Sequence, residues 1–284
     1  MPASIDLKPV DASLAAPSCQ ASAKEAATMP QLEIHQFPCL SDNYGVLIHD
    51  REKAVTASID APEAAAVRQA LAQKGWTLTH ILTTHHHADH TGGNNALKSE
   101  TGCTIVGPRA EAARIPGIDV ALGDGDTYQF GSFEARVLDT PGHTAGHITY
   151  WLPDAGVAFA GDTLFALGCG RLFEDSAENM WASLSKLIAL PPETKVYCGH
   201  EYTLANAKFA LTIEPENDAL QSRAKEIAEL RSRGEPTLPT TIARELESNP
   251  FLRTQSPAIR KRLGMEDRAD WEIFAEVRRR KDNA

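Results

Sequence analysis

One short run of the sequence carries enough metal-binding side chains to form a catalytic centre. His85, His87, Asp89 and His90 lie within six residues of one another. His85 and His87 alternate along an extended segment, so their side chains point to one side, whereas His86 points away. Four such ligands exceed what one tetrahedral zinc ion uses while keeping a position open for substrate. The run therefore predicts two metal ions that share the cluster.

Three further segments end a strand-like run in a glycine, and a possible metal ligand follows directly. These ligands are His143, Asp162 and His200. The glycine permits close backbone approach, and imidazole and carboxylate groups suit divalent metals. Four such strand ends in one chain are hard to explain by packing, so we predict one site. His147 is interpreted as a structural residue beside that site. The histidines without this context are interpreted as core or surface residues: His35, His49 and His80.

The composition disfavours several classes of protein. A net charge of −10 argues against a nucleic-acid partner, which requires clustered positive charge. No run of eighteen apolar residues is present, so we expect no membrane span. Five scattered cysteines without a CxxC pair are typical of reduced thiols in a cytoplasmic protein.

The chain divides into three parts. Residues 1–29 are rich in Ala, Ser and Pro, and they resemble neither a secretory signal nor a mitochondrial presequence. This composition predicts a disordered extension, and Met29 is a possible second start site. Residues 30–200 alternate short strands with helices, which predicts a layered α/β catalytic domain. Residues 201–284 show helical spacing broken by prolines, which predicts a small helical domain.

The predicted elements are specific enough to test. The predicted strands are residues 32–37, 45–49, 54–59, 80–83, 104–107, 127–130, 133–139, 148–152, 157–160 and 195–198. The predicted helices are residues 62–74, 94–100, 179–189, 204–213, 217–233, 240–247 and 270–280. Each metal-ligand segment thus follows the end of a predicted strand.

The ligand motifs together resemble the metallo-β-lactamase superfamily. Three other stretches, residues 161–171, 197–203 and 249–253, are similar to the glyoxalase II, or hydroxyacylglutathione hydrolase, family within it. The resemblance covers residues 31–284. It implies an αββα sandwich with a C-terminal helical, glutathione-binding domain.

The same resemblance implies how the ligands and the reaction are arranged. One ion would be held by His85, His87 and His143, and the other by Asp89, His90 and His200. Asp162 would bridge the two ions, which are expected to be Zn²⁺, although Fe or Mn would also suit these ligands. The implied reaction is hydrolysis of S-(2-hydroxyacyl)glutathione thioesters, such as S-D-lactoylglutathione, by a metal-bridged hydroxide, with Asp89 assisting proton steps. This is the second step of methylglyoxal detoxification.

The substrate-binding residues rest mainly on the resemblance. It places Arg278 and Lys281 against a glutathione carboxylate and Tyr202 against the glutathione. Both lie in a basic tract, residues 277–281, whose plain alternative reading is a solvated helix end favoured by the helix dipole. Two positions depart from the commonest family pattern of Lys and Tyr, because this chain has Arg171 and Phe173. Phe173 lacks the hydroxyl that could bond glutathione.

Two other functions remain open from the sequence. One is a persulfide dioxygenase of the same superfamily with a single iron, and the other is a non-catalytic metal- or glutathione-binding protein. The complete second ligand set and the helical C-terminal part argue against the first. In each case the expected partner is a small molecule, and the expected state is a monomer.

Overall fold

The computed structural model describes residues 31–284. The predicted disordered extension, with its possible start at Met29, lies outside the described residues. Within residues 31–284, no helix has the length and apolar character needed to cross a membrane.

The first sheet has six strands, and its order follows the chain. They are β1 (Leu32–Cys39), β2 (Asn43–Asp50), β3 (Val55–Ile59), β4 (His80–Leu82), β5 (Thr104–Pro108) and β6 (Val120–Leu122). The pairs β1–β2 and β2–β3 are antiparallel, whereas β3 to β6 are parallel. The carboxyl ends of β3 and β4 therefore meet at one edge of the sheet.

The second sheet also has six strands. In spatial order they are β14 (Thr240–Thr241), β13 (Lys195–Cys198), β10 (Val157–Gly161), β9 (Ile148–Leu152), β8 (Phe133–Asp139) and β7 (Thr127–Phe130). β10 and β13 are parallel, and the other pairs are antiparallel. A small hairpin, β11 (Leu164–Phe165) with β12 (Gly168–Cys169), follows β10.

Nine α-helices surround the sheets within the described residues. They are α1 (Ala64–Lys74), α2 (Ala88–Thr91), α3 (Asn94–Thr101), α4 (Ala177–Ile188), α5 (Thr203–Ile213), α6 (Asp218–Ser232), α7 (Ile242–Ser248), α8 (Pro257–Leu263) and α9 (Asp270–Asp282). Two short 3₁₀ helices, Arg109–Arg114 and Pro153–Ala155, connect strands.

Alternation along the strands builds the layers. In β2, Ile48 points into the core between the two sheets, where it shares a cluster with Phe133 and Phe159. Its neighbour Leu47 points the other way, into the cluster under α1 and α3. Because successive strand residues face opposite sides, both faces of the sheet are buried. With α4 and α9 covering the second sheet, the fold is the predicted αββα sandwich.

All ten predicted strands and seven predicted helices are present, with ends displaced by a few residues. The sequence missed β6, the β11–β12 hairpin, β14 and two helices, the four-residue α2 and α8. β14 corrects the expectation that strands stop after residue 200, because its two residues pair with β13 through tertiary contact. Met180 and Leu184 of α4 share one apolar cluster with Phe274 of α9, so the two parts pack on a common core. The boundary near residue 200 stays a prediction.

Candidate active site

The predicted metal ligands meet at the edge where several strands end. The loop after β4 leads to His85 and His87, and helix α2 carries Asp89 and His90. His143, Asp162 and His200 follow β8, β10 and β13. Glycines are required at this edge, since a Cβ at Gly199 would lie 2.6 Å from Asp162 Oδ1 and a Cβ at Gly170 would lie 2.0 Å from Asp162 O.

The first group of ligand atoms belongs to three histidines. His87 Nδ1 lies 3.1 Å from His85 Nε2 and 3.1 Å from His143 Nε2. Nitrogens bound to one zinc ion at about 2.0–2.1 Å are separated by similar distances. The triad therefore fits a single metal ion.

The second group lies beside the first. His90 Nε2 is 3.4 Å from His200 Nε2, and Asp89 Oδ2 is 3.4 Å from His200 Nε2. Asp89 Oδ2 is also 3.7 Å from His90 Nε2. One carboxylate and two imidazoles at these separations fit a second metal ion.

Asp162 lies between the two groups. Its Oδ2 is 3.4 Å from His143 Nε2 and 3.3 Å from His200 Nε2, so it reaches both. Its Oδ1 is buried and has no hydrogen-bond partner among the described residues. A buried carboxylate oxygen without a partner is costly, and a bound cation removes that cost. The donor set therefore fits two cations that share one carboxylate.

The nitrogen that each histidine presents is set by its outer partner. His90 Nδ1–H donates to Asp60 at 2.7 Å, and His200 Nδ1–H donates to Asp42 at 2.9 Å. His143 Nδ1–H donates to the Arg171 carbonyl at 2.9 Å. In each case Nε2 faces the cluster and is the nitrogen available to a metal ion.

Burial keeps the first triad neutral. It lowers the pKa of His85 well below the ordinary value of 6.5, and the neighbouring His90 lowers it further. Burial also lowers the pKa of His87 and of His143. Because a metal ion binds neutral imidazole, these directions favour coordination at neutral pH.

The second group has opposite electrostatics. Burial alone would raise the pKa of Asp162, but His90 and His200 outweigh it and hold that pKa well below its usual range. Burial alone would lower the pKa of His90, but Asp162 and Asp60 raise it to about 9. Without a metal ion this group therefore holds a proton, which a bound cation would replace.

The two carboxylates that orient His90 and His200, Asp60 and Asp42, were not predicted from the sequence. Asp60 directly follows β3, as the ligands follow their strands, so the same strand-end signal was available. Asp42 lies in the β1–β2 turn and carries no such signal. His147 was interpreted as structural, and its Nε2 accepts the backbone N–H of Asp162 at 3.0 Å. His86 points away from the cluster, as expected, toward Glu111.

A cleft of about 480 Å³ opens beside the metal-ligand cluster. All five residues predicted to bind substrate line it: Arg171, Phe173, Tyr202, Arg278 and Lys281. A second cavity of about 450 Å³ lies behind the Asp42–Asn43 turn and contains neither metal-ligand group. The first cleft is therefore the only one of the two that joins the metal ligands to basic side chains.

Arg278 and Lys281 differ from a solvated helix end. Arg278 is only 5% exposed, and it donates to the Cys169 carbonyl at 3.0 Å and to Asp282 at 2.7 Å. Its Nε is buried without a hydrogen-bond partner in the described chain. Lys281 Nζ donates to the Ala205 carbonyl at 3.2 Å, and burial, followed by Arg278, lowers its pKa. The basic tract thus contributes two cations to the inner wall of the cleft.

The other three residues predicted to bind substrate lie at the mouth of the cleft: Tyr202, Phe173 and Arg171. Tyr202 stacks on His200 with ring centres 4.7 Å apart. Phe173 is 61% exposed, and its ring centre lies 5.2 Å from that of His143. The exposed Arg171 side chain has no ion pair or hydrogen bond within residues 31–284. It is therefore available to an anionic group.

Comparison with known proteins agrees with this geometry. Residues 56–200 match the metallo-beta-lactamase superfamily, and residues 201–284 match the hydroxyacylglutathione hydrolase C-terminus. A hydroxyacylglutathione hydrolase from Brucella anthropi is 60% identical over 253 residues, which cover 89% of this chain and 97% of the relative.

Solved structures share the fold. ETHE1 from Myxococcus xanthus has a TM-score of 0.63 and 29% identity, covering 87% of this chain and 90% of that one. TTHA1623 in a di-iron-bound form has a TM-score of 0.53 and 25% identity, covering 78% of this chain and 100% of that one. These matches confirm the resemblance found in the sequence. The chain belongs to the hydroxyacylglutathione hydrolase (glyoxalase II) family of the metallo-beta-lactamase superfamily.

Proposed function

We propose that the protein hydrolyses the thioester of S-(2-hydroxyacyl)glutathione, such as S-D-lactoylglutathione, to a 2-hydroxy acid and glutathione. This reaction is the second step of methylglyoxal detoxification. The observation that carries the proposal is a double metal-ligand cluster that opens into a cleft with basic walls. The 60% identity to a named hydroxyacylglutathione hydrolase supports the same substrate class.

We propose that two divalent ions occupy the cluster. His85, His87 and His143 would hold one ion, Asp89, His90 and His200 the other, and Asp162 both. Zn²⁺ suits these ligands, and Fe or Mn does as well; the di-iron form of TTHA1623 supports a binuclear site. When bound, two such ions lower the pKa of a shared water and stabilise negative charge on a carbonyl oxygen.

The chain itself supplies orientation and a route for protons. Asn43 donates to Asp89 Oδ2 at 3.2 Å and holds that carboxylate toward the cleft. Burial alone would raise the pKa of Asp89, but His90 outweighs it and lowers that pKa, so the group is ionised at neutral pH. Because Asp89 Oδ2 belongs to the second ligand group, we assign the other carboxylate oxygen, Oδ1, to proton transfer. A thiolate leaves readily, so a strong acid is not required.

The cleft residues provide for the glutathione part. Glutathione carries two carboxylates, and Arg and Lys are the side chains that pair with carboxylates. Arg278 and Lys281 would take one carboxylate at the inner wall, Arg171 would approach the substrate at the mouth, and Tyr202 would pack against it. Phe173 would contribute only apolar contact.

The setting of the enzyme follows from the same residues. All proposed ligands and cleft residues come from one chain, which supports a monomer as the active unit. Within residues 31–284 the cysteines are free and buried, which supports a reducing, cytoplasmic compartment: Cys39, Cys103, Cys169 and Cys198. The net charge of −10 supports a small-molecule partner over nucleic acid.

The test is hydrolysis of S-D-lactoylglutathione by the full chain, with metal analysis of the same sample. We expect release of glutathione with about two metal ions per chain. One iron per chain, with oxygen consumption on glutathione persulfide, would support the dioxygenase alternative instead. A fully metal-loaded sample without thioester turnover would support a binding protein.

A further inference from the structure

His86, which lies within the metal-ligand run, contacts Glu111, a carboxylate that the proposed reaction does not use. Its backbone N–H donates to Glu111 Oε2 at 2.8 Å, and its Nδ1 lies 2.8 Å from the same oxygen. Glu111 is 2% exposed and belongs to the 3₁₀ helix Arg109–Arg114, which follows β5. A buried carboxylate is costly unless hydrogen bonds compensate for its lost hydration.

The other oxygen of Glu111 bonds to a second ligand-bearing loop. The Gly146 N–H donates to Glu111 Oε1 at 2.9 Å, three residues after His143. The approach is close, since a Cβ at Gly146 would lie 2.7 Å from both Ala110 Cβ and Glu111 Cγ. One carboxylate thus bridges the loop that carries His85 and His87 to the loop that carries His143.

The same residues could be read as a third metal site, because ligand atoms of His86, Glu111 and Glu174 lie within 4.8 Å of one another. The hydrogen bonds argue against that reading. Glu174 Oε1 pairs with Arg114 at 2.7 Å, and its Oε2 accepts the Ala145 N–H at 3.0 Å. Both oxygens of Glu111 accept bonds from the two loops. Every carboxylate oxygen therefore already has a partner in the protein.

We infer that Glu111 is a positioning residue that sets the spacing of the His85–His87–His143 triad. The inference rests on the proposed division of ligands between two metal positions. The triad draws its ligands from both bridged loops. The group of Asp89, His90 and His200 draws on only one of them, together with the end of β13. Loosening the bridge should therefore weaken one metal position selectively.

The test is a stepwise zinc titration of the metal-free full chain against a chromophoric chelator, with Glu111→Gln. Glutamine replaces one carboxylate oxygen by an NH₂ group, which donates instead of accepting, so the backbone N–H of one loop loses its hydrogen-bond acceptor. We expect one of the two binding steps to weaken by about tenfold, the lower end of the loss seen when a group bonded directly to a metal ligand is removed, because Glu111 acts through the loops and not on a ligand itself. The other step should change less than about twofold. Glu111→Asp keeps the charge but is one methylene too short to reach both loops, so the same selective loss is expected. This variant replaces Glu111→Gln in the titration if the glutamine variant does not fold.

The matched control is Asp50→Asn, a buried carboxylate at the other end of the first sheet. Asp50 accepts backbone N–H groups from Glu52 at 2.8 Å and from Ser132 at 2.6 Å. This variant should lower the melting temperature without selective zinc loss. Equal weakening of both steps in the Glu111 variants, no weakening, or the same selective loss in Asp50→Asn would overturn the inference. A wild-type chain that binds fewer than two zinc ions would instead overturn the proposed two-ion cluster on which the inference rests.

Discussion

At the scale of single residues, the site depends on which atom of each side chain is left free. The outward Nδ1–H bonds of His90 and His200 leave their Nε2 atoms facing the cluster. The backbone N–H of Asp162 donates to His147 Nε2, and its carboxylate lies within reach of both ligand groups. The orientation of the proposed ligands His90 and His200 therefore depends on Asp60 and Asp42.

Phe173 offers a test of substrate binding at this scale. Phe173→Tyr should lower KM for S-D-lactoylglutathione by about two- to tenfold, because a new hydroxyl can form one hydrogen bond with the glutathione. The value of kcat should stay within about twofold, since Phe173 lies at the mouth of the cleft and not in the ligand cluster.

Steady-state kinetics and a melting curve measure both effects. The ring is 61% exposed, so the added hydroxyl should leave the melting temperature unchanged, and this serves as the control for folding. An unchanged KM would show that position 173 does not face the glutathione.

At the scale of elements, the β11–β12 hairpin connects the metal edge to the C-terminal helices. Glu245 of α7 accepts the Leu167 N–H at 2.9 Å, and Asn206 of α5 donates to the Ala166 carbonyl at 3.1 Å. Arg278 of α9 donates to the Cys169 carbonyl at 3.0 Å. Helices that are distant in sequence therefore hold the hairpin that forms one wall of the cleft.

Glu245 also forms a buried ion pair with Arg223, so replacing Glu245 should lower the stability of the protein. Glu245→Gln should lower the free energy of unfolding by roughly 3–5 kcal/mol, because it leaves a buried guanidinium without its counter-ion. It should also raise KM, since the hairpin loses an acceptor.

Chemical denaturation measures the first effect, and Arg244→Ala is the control. The Arg244–Glu226 pair is exposed, so its loss should change the free energy of unfolding by less than about 1 kcal/mol. Equal effects of the two variants would show that the buried Arg223–Glu245 pair contributes no more to stability than an exposed pair.

At the scale of the whole molecule, the buried histidines link folding to pH. The pKa of His85 and that of His147 are lowered mainly by burial, so the unfolded chain binds more protons than the folded chain as the pH falls through 6.5. Their contribution to stability is lost in that direction. His90 behaves oppositely, because its pKa is raised to about 9 and its contribution is lost as the pH rises from 6.5 to 9.

The metal-free protein should therefore be most stable near pH 6.5, with the melting temperature falling on both sides. With zinc bound, the loss between pH 6.5 and 9 should disappear, because the metal replaces the proton of His90. Melting curves at pH 5.5, 6.5 and 8.5, with chelator or with zinc, would measure both. A metal-free protein that gains stability up to pH 9 would contradict this prediction.

Much of the molecule could be predicted from its sequence, because the signals are local. Apolar alternation and turn residues mark each of the ten predicted strands within a few residues, as at β8 and β9. The glycine before Asp162 and before His200 marks where a strand must end for close approach. The ligand types and their spacing alone predicted a metal-binding cluster, and the two-ion arrangement stays a prediction.

The tertiary structure decided what depends on residues far apart in the chain. β14 forms through its pairing with β13, and Arg278 is buried between the Cys169 carbonyl of the hairpin and the Phe251 ring. The bonds from Asp42 to His200 and from Glu111 to two loops have no sequence signature, since each joins residues whose proximity only the packing of both sheets creates. Local sequence thus determined which residues could serve as ligands, and packing decided how they are oriented.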